Sequence, residues 1–288
     1  MNRVPLAILL ATYNSTKYLA EQLDSLFAQS YADFTLFVKD DGSTDHTLEM
    51  IRKYQETHPN IVILEDEVMR RGAMNNFFWL LENVEADYYM FCDHDDIWLP
   101  NKIEITRDAM LACEKENPGK SVLVNTDVRV VDKNLDVILP SYWKAGSLYP
   151  DLMNRFHYLM LAGFVTGSTA MINRQARKIA FPVGKNAYMH DAWIAMRVVA
   201  EGGVLCSIDT PTVLYRQHEN NVLGVRHSTR SKIVRKIASL PHYLKANRLT
   251  YRMAHEIGDV SIFTYVYYKL RYRKEYRQRQ RNEKRQQA

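Results

Sequence analysis

The sequence predicts an α/β fold with a mostly parallel central sheet flanked by helices, followed by a basic helical C-terminal extension. Three observations carry this. Short apolar runs alternate with amphipathic helical stretches from Pro5 to Glu116, a rhythm that implies parallel strands joined by right-handed crossovers. Polar, carboxylate-rich clusters follow the apolar runs, where open α/β sheets bind their ligands. Charge is also unevenly divided. From Arg226 onward there are 17 Lys and Arg against 4 Asp and Glu, while the remainder holds 21 basic and 29 acidic residues. An acidic body of net charge −8 thus carries a +13 tail.

The continuous apolar run "PLAILLATY" reads as a buried strand. "NSTKYLAEQLDSLFAQ" follows as a helix, with Asn14 or Ser15 as its N-cap and Leu19, Leu23, Leu26 and Phe27 on one face. "FTLFVKDD" is a second strand, and "GSTDHTLEMIRKYQ" a turn and second helix. "NIVILED" and "MNNFFWLLENV" give the third pair. "DYYMFCD" is the fourth strand, and "PNKIEITRDAMLACEKE" the fourth helix, with Pro100 suited to its start. The rhythm then changes. "SVLVNTDVRVVDKNLDVI" reads as strand and hairpin, and "GFVTGSTAMINR" as a further strand segment. "DAWIAMRVVAEGG" is a helix ended by Gly202, and "VLCSIDTPTVLYRQH" two short strands broken at Thr210 and Pro211. Two units are expected: a catalytic-type α/β domain over 1–225 and a basic helical extension over 226–288.

With 288 residues, 47% of them hydrophobic, the chain can bury a full core without disulfides. Its three cysteines are far apart and form no metal-binding spacing, which points to structural thiols in a reducing cytoplasm. "VPLAILLATY" is too short for a signal peptide, and no run approaches the ~20 apolar residues that span a bilayer. The acidic body disfavours nucleic acid as a partner.

Three clusters should converge on one crevice: Ala11–Thr12–Tyr13–Asn14, Lys39–Asp45 and Cys92–Asp96. No GxGxxG or Walker A pattern is present, so neither a dinucleotide fold nor a P-loop is supported. Asp40 and Asp45 are candidates both for turn-capping and for the crevice. Asp41 suits acceptance of a pyrimidine N3–H, and Tyr13 suits stacking on the base, the alternative for Tyr13 being a core aromatic. In "FCDHDDIW" three carboxylates crowd the end of a buried strand, so a cation is expected. Asp93 and Asp95, at i and i+2, should point the same way and hold Mg²⁺ or Mn²⁺ with a diphosphate, while Asp96 caps the following turn.

"LATYNSTKYLAEQLDSLFAQSY", "VKDDGSTDHT" and "CDHDDIWLPNKI", in this order, resemble glycosyltransferase family 2, and the chain is similar to its bacterial rhamnosyltransferase-like group. The resemblance continues through "VTGSTAMINR", "MHDAWIAMRVV" and "VLYRQHENNV", about residues 4–224. It implies the Rossmann-like GT-A fold. Ala11, Tyr13 and Asp41 would line the nucleoside pocket, with Thr12 or the backbone contributing where the family usually has a polar residue at position 11. Asp93 would lie near ribose and metal, and Asp95 would ligate the metal. Asn76 matches the family's asparagine before the third helix, and Arg70 and Arg71 replace commoner neutral residues there. Asp191 falls where the family places its catalytic base, although it also suits a helix N-cap. Arg216 and His218 would meet diphosphate or metal. The implied reaction is inverting transfer of a hexosyl group, L-rhamnosyl by group likeness, from a dTDP- or UDP-sugar. The acceptor would be a saccharide or a lipid-linked saccharide of a bacterial surface polysaccharide.

UDP-galactose, UDP-glucose and UDP-N-acetylhexosamine are alternative donors. A metal-dependent nucleotidyltransferase or phosphohydrolase is a second enzyme class, and an inactive sugar-nucleotide or polysaccharide-binding module a third reading. The tail is expected either to hold the protein peripherally on the anionic cytoplasmic leaflet of the inner membrane or to pack on the body or a second subunit as a homodimer.

Overall fold

In the computed structural model, residues 4–66, 68, 71–218 and 240–287 are described. The first half follows the alternating pattern. β1 (Val4–Thr12), β2 (Thr35–Asp40), β3 (Ile61–Ile63) and β4 (Ala86–Cys92) are separated by α1 (Leu19–Phe27), α2 (Thr47–Thr57) and α3 (Ala73–Asn83). All three pairings among these strands are parallel, in the spatial order β3-β2-β1-β4. Their continuous hydrophobicity reflects burial on both faces: Leu6 to Leu10 are at most 2% exposed.

Beyond β4 come β5 (Ile97–Trp98), α4 (Lys102–Glu116), β6 (Val122–Val131) and β7 (Val137–Leu139), the last two forming the expected antiparallel hairpin. Three short helices follow, α5 (Tyr142–Gly146), α6 (Pro150–Met153) and α7 (Phe156–Leu159). After them the chain runs through a 3₁₀ turn at Gly167–Thr169 into β8 (Met171–Asn173), α8 (Arg174–Ile179), α9 (His190–Ala200) and β9 (Val204–Arg216). The sheet continues past β4 as β8-β6-β9-β5, mixing antiparallel and parallel pairs.

Four local expectations are corrected. Helix α1 begins at Leu19, not after Asn14 or Ser15; the Ser15 carbonyl instead accepts the Tyr18 and Leu19 N–H groups in a preceding turn. In "GFVTGSTAMINR" only the last three core residues are strand, because the chain first closes the 3₁₀ turn. The break at Thr210–Pro211 does not divide the strand. β9 is continuous for 13 residues, and register shifts opposite Asp127 absorb the proline, which cannot donate to a ladder. The stretch 142–159 supplies three short helices that no periodicity announced, since each lasts little more than a turn.

Two hydrophobic layers cover the sheet. One is built around α1, α2 and α4, the other around α3, α8 and α9. The chain ends in two long helices, α10 (Leu240–Gly258) and α11 (Ile262–Gln287). They dock on the second layer through buried Met253, Ala254, Val260 and Tyr265. Polar ties reinforce this: Glu256 accepts the Lys185 and Asn186 N–H groups, Tyr158 donates to Glu275 at 2.6 Å, and Arg279 forks onto Asp151. The expected boundary at 225/226 lies outside the described residues. No helix among the described residues is long and apolar enough to cross a membrane.

Candidate active site

Strand register brings the predicted clusters to one edge. Thr12 lies beside Asp40, and Leu10 beside Cys92, so the loops after β1, β2 and β4 leave the sheet together. The loops after β1 and β2 are tightly tied. Asp40 takes the Thr12 hydroxyl at 2.8 Å, the Gly42 and Ser43 N–H groups and the Ser43 hydroxyl. The Thr12 side chain is therefore committed internally and is not the replacement for a polar residue 11; Ala11 is 6% exposed. Asn14 takes up a left-handed conformation (φ 48°), which asparagine tolerates, and bridges the loops by accepting the Thr44 N–H at 2.9 Å. Burial works against the charge of Asp45, but hydrogen bonds from Thr16 and Thr47 outweigh it and bring its carboxyl down to about 2. Both Asp40 and Asp45 are thus turn-builders.

Asp41 is 5% exposed and accepts one backbone N–H on each oxygen, from Arg71 and Gly72, both at 2.8 Å. These bonds hold the entrance to α3 against the β2 loop and leave each oxygen a further lone pair. Tyr13 is 47% exposed, so the core-aromatic alternative is excluded. Asn76 is buried one turn into α3, and its Oδ1 has no hydrogen-bond partner among the described residues. Arg71 pairs with Asp66; Arg70 lies outside the described residues.

The second cluster has a different character. Strand β5 pairs antiparallel with the end of β9, which sets residues 95–96 beside 216–218. His218 Nε2 lies 2.7 Å from Asp95 Oδ2. Burial and the nearby Asp95 and Asp191 charges push the Asp93 carboxyl up to about 8. Burial also opposes the charge on Asp95, but His218 and His94 overcome it and hold that carboxyl below the usual range. Asp93 therefore feels the charges of both Asp95 and Asp191, although Asp191 is almost a hundred residues away in sequence.

Asp96 and Arg216 depart from expectation. Asp96 does not cap the turn before Pro100. It is fully buried, accepts the Arg216 N–H at 3.1 Å, and burial with its acidic neighbours raises its carboxyl well above the ordinary range. Arg216 is 1% exposed and faces into the protein, not toward a diphosphate. Its Nε donates to the Asp95 carbonyl and Nη1 to the Lys133 carbonyl, both at 3.0 Å; Nη2 pairs with Glu21, and the guanidinium lies 4.4 Å from the Tyr18 ring. A buried cation at the end of β9 thus clamps the acidic turn from behind, as charge burial without pairing would be costly.

Asp191 stands in the first turn of α9, one residue past its start and not at the N-cap, which is Met189. It is 8% exposed. Its Oδ2 accepts the Gly167 N–H at 2.8 Å and its Oδ1 the Ala192 N–H at 2.6 Å, so two backbone donors fix its plane. His190 is buried against Phe77 and Phe91, at 4.2 and 4.9 Å between ring centres, and burial lowers its pKa. Gly167 went unnoticed in the sequence. A Cβ there would meet His190 Nε2 at 2.6 Å and Asp191 Oδ2 at 3.6 Å, so only glycine brings its N–H to the carboxylate. Tyr142, Tyr188 and Tyr215 were also missed. Burial raises all three phenols, with further contributions from Asp191 on Tyr142 and Tyr188 and from Asp96, Asp93 and Asp95 on Tyr215. Nothing in the local pattern of these tyrosines marks them; only "YMHDAW" places one near a candidate acid.

Among the described residues no three His, Cys, Asp or Glu side chains form a self-sufficient metal cluster. Asp95 and His218 offer an oxygen and a nitrogen side by side, with Asp93 adjacent and short of compensating positive charge. That donor set fits a divalent ion whose remaining positions go to substrate phosphates and water, the way Mg²⁺ is usually held.

The model for "Glycosyl transferase family 2" matches residues 7–179. The dTDP-rhamnosyl transferase RfbG of Shigella flexneri is 31% identical over 238 residues, 78% of this chain and 77% of that protein. Among solved structures, S. aureus TarS in complex with UDP superposes with a TM-score of 0.56 at 22% identity, covering 74% of this chain and 60% of that one. The mannosyltransferase PcManGT of Pyrobaculum calidifontis, in complex with GDP-Man and Mn²⁺, gives 0.56 at 16% identity, covering 96% and 83%. These two likenesses show the GT-A fold. The strand-end loops and the edge they share lie within a family pattern that extends over most of the chain, and the protein belongs to glycosyltransferase family 2.

Proposed function

We propose that this chain is an inverting, divalent-metal-dependent hexosyltransferase that moves an L-rhamnosyl group from dTDP-L-rhamnose to a saccharide or lipid-linked saccharide acceptor of a bacterial surface polysaccharide. The reading is supported by the Asp95–His218 contact, by the effect of the Asp95 and Asp191 charges on Asp93, and by the parallel register that sends the loops after β1, β2 and β4 to one edge. The relative that shares 31% identity over most of both chains supports the donor. Asp41 accepts the N3–H of either thymine or uracil, so it does not choose between them.

In this mechanism Tyr13 stacks on the base and Asp41 accepts its N3–H. Asp95 and His218 would hold a divalent ion, with Asp93 beside them, and the ion would supply positive charge for the departing diphosphate. Asp191, oriented by the Gly167 and Ala192 N–H groups, takes the proton of the acceptor hydroxyl. The acceptor oxygen bonds to the anomeric carbon as the bond from that carbon to the diphosphate oxygen breaks. The bonding pair leaves with the nucleoside diphosphate, and the anomeric centre inverts. Arg216 acts behind this surface by fixing the Asp95 main chain.

Thermal shift with Mn²⁺ and dTDP-L-rhamnose, UDP-galactose, UDP-glucose or UDP-N-acetylglucosamine tests the donor, followed by transfer to a lipid-linked oligosaccharide. Stabilisation and transfer with the rhamnosyl donor are expected. Selective stabilisation by a UDP-sugar would replace the donor, and release of free nucleotide without an acceptor would replace the reaction class.

A further inference from the structure

Helix α11 is amphipathic in the reverse sense. The side that packs on the protein is polar and aromatic: Tyr265 is 4% exposed, Tyr268 stacks on His157 at 4.2 Å, and Tyr272 donates to the Ser147 carbonyl at 2.6 Å. The side that faces away carries the aliphatic and aromatic surface. Phe263 is 83% exposed, Val266 47%, Tyr267 56% and Leu270 60%. At about 100° per residue these four fall within about 100° of one another, opposite the packed tyrosines. The same outward strip continues toward the C-terminus as exposed Lys274, Arg277 and Arg281. An apolar patch runs directly into a basic one along about 27 Å of helix.

We propose that this strip is a docking surface for an anionic lipid bilayer, with Phe263, Val266, Tyr267 and Leu270 entering the headgroup–acyl boundary and Lys274, Arg277 and Arg281 lying against the phosphates. Charge complementarity selects this occupant. Two copies of the strip in parallel would set the basic halves against each other, and in antiparallel order would press each basic half onto an apolar one. A lipid surface satisfies both halves at once, since it offers hydrocarbon beneath a layer of negative charge. The helix is held from behind by the Glu275 and Arg279 contacts, so the strip is presented already folded. This inference does not rest on the proposed reaction.

Flotation of the full chain with phosphatidylglycerol-containing vesicles, against pure phosphatidylcholine vesicles, tests it. The wild-type chain is expected to float with the anionic vesicles and to be released by salt. A Phe263→Ser/Leu270→Ser variant should lose this binding. A Lys274→Glu/Arg277→Glu/Arg281→Glu variant should bind weaker by a factor on the order of 100 or more. Both change exposed positions, so circular dichroism and thermal melting should match wild type. Undiminished flotation of the serine variant would overturn the proposal. So would a lipid-free dimer in sedimentation that the serine substitutions dissociate, since the strip would then be a protein interface.

Discussion

Two groups of aspartates leave the same edge of the sheet and meet opposite electrostatic fates. Asp40 and Asp45 are each supplied with four backbone and hydroxyl donors, and Asp45 is held down at about 2 as a result. Asp93, Asp95 and Asp96 are buried against one another, and two of the three are pushed upward. A carboxylate whose lone pairs are filled by its own loop is finished on folding. A carboxylate crowded by others remains a demand for positive charge, and such groups mark functional sites more often than structural ones. The contrast separates turn-builders from chemistry within one residue type.

The largest effect should come from Asp191→Asn, which keeps the shape while removing the base and one of the two oxygens that accept the Gly167 and Ala192 N–H groups. Transfer is expected to fall by a factor on the order of 10² or more, with donor-induced thermal stabilisation unchanged. Near-normal turnover would remove Asp191 from the crowded group's function. Asp95→Ala comes next. It should abolish the Mn²⁺ dependence of donor binding, measured by calorimetry with and without EDTA; if EDTA leaves wild-type transfer intact, the demand for charge is met by the protein alone.

Gly167→Ala tests the geometry behind Asp191. The added methyl meets His190 at 2.6 Å, so a loss of about 1–3 kcal/mol in unfolding free energy is expected. The rate constant of the folded fraction should fall as well, because the N–H that aims the carboxylate moves. A stability loss with an unchanged rate constant would make Gly167 a packing residue only.

The pH response sharpens the comparison further. Asp93 is raised from 3.8 to about 8 in the folded protein. Between those values the folded state keeps a proton that the unfolded chain has released, so stability is full below 3.8 and declines as pH rises toward 8. Metal-free protein should therefore melt lower at pH 8 than at about pH 6, and Asp93→Asn should flatten that dependence. Asp45 has the opposite sign: its contribution is present above 3.8 and is lost as pH falls through about 2. The smallest effect is expected from Asp45→Ala. Exposure screens this group, so about 1 kcal/mol of stability is at stake, with transfer by the folded protein unchanged.

Much of this site was legible before any coordinates. The ends of β1, β2 and β4 could be placed because strand burial and helix alternation are local patterns, and parallel pairing then forces the following loops to one edge. The i, i+2 aspartates and the position of Asp191 at a helix start are likewise readable over a few residues. The family resemblance puts Arg216 in the crevice, and the fold turns it inward to Glu21, Lys133 and Asp95. Thr12 looked available and was taken by Asp40. The exposed strip of α11 was hidden in a segment whose tyrosines and arginines alternate without an obvious apolar period.

What the amino-acid order determined by itself was the sequence of elements and the crowding of charge at their ends, because both depend on residues within a turn or two of one another. Which carboxylates are filled, which cation clamps and which glycine orients Asp191 were decided only when distant segments packed. Partners such as Arg216 and Asp95, or Gly167 and Asp191, are chosen by the sheet's register and the docking of α9, and neither is written in the neighbours of the residues concerned.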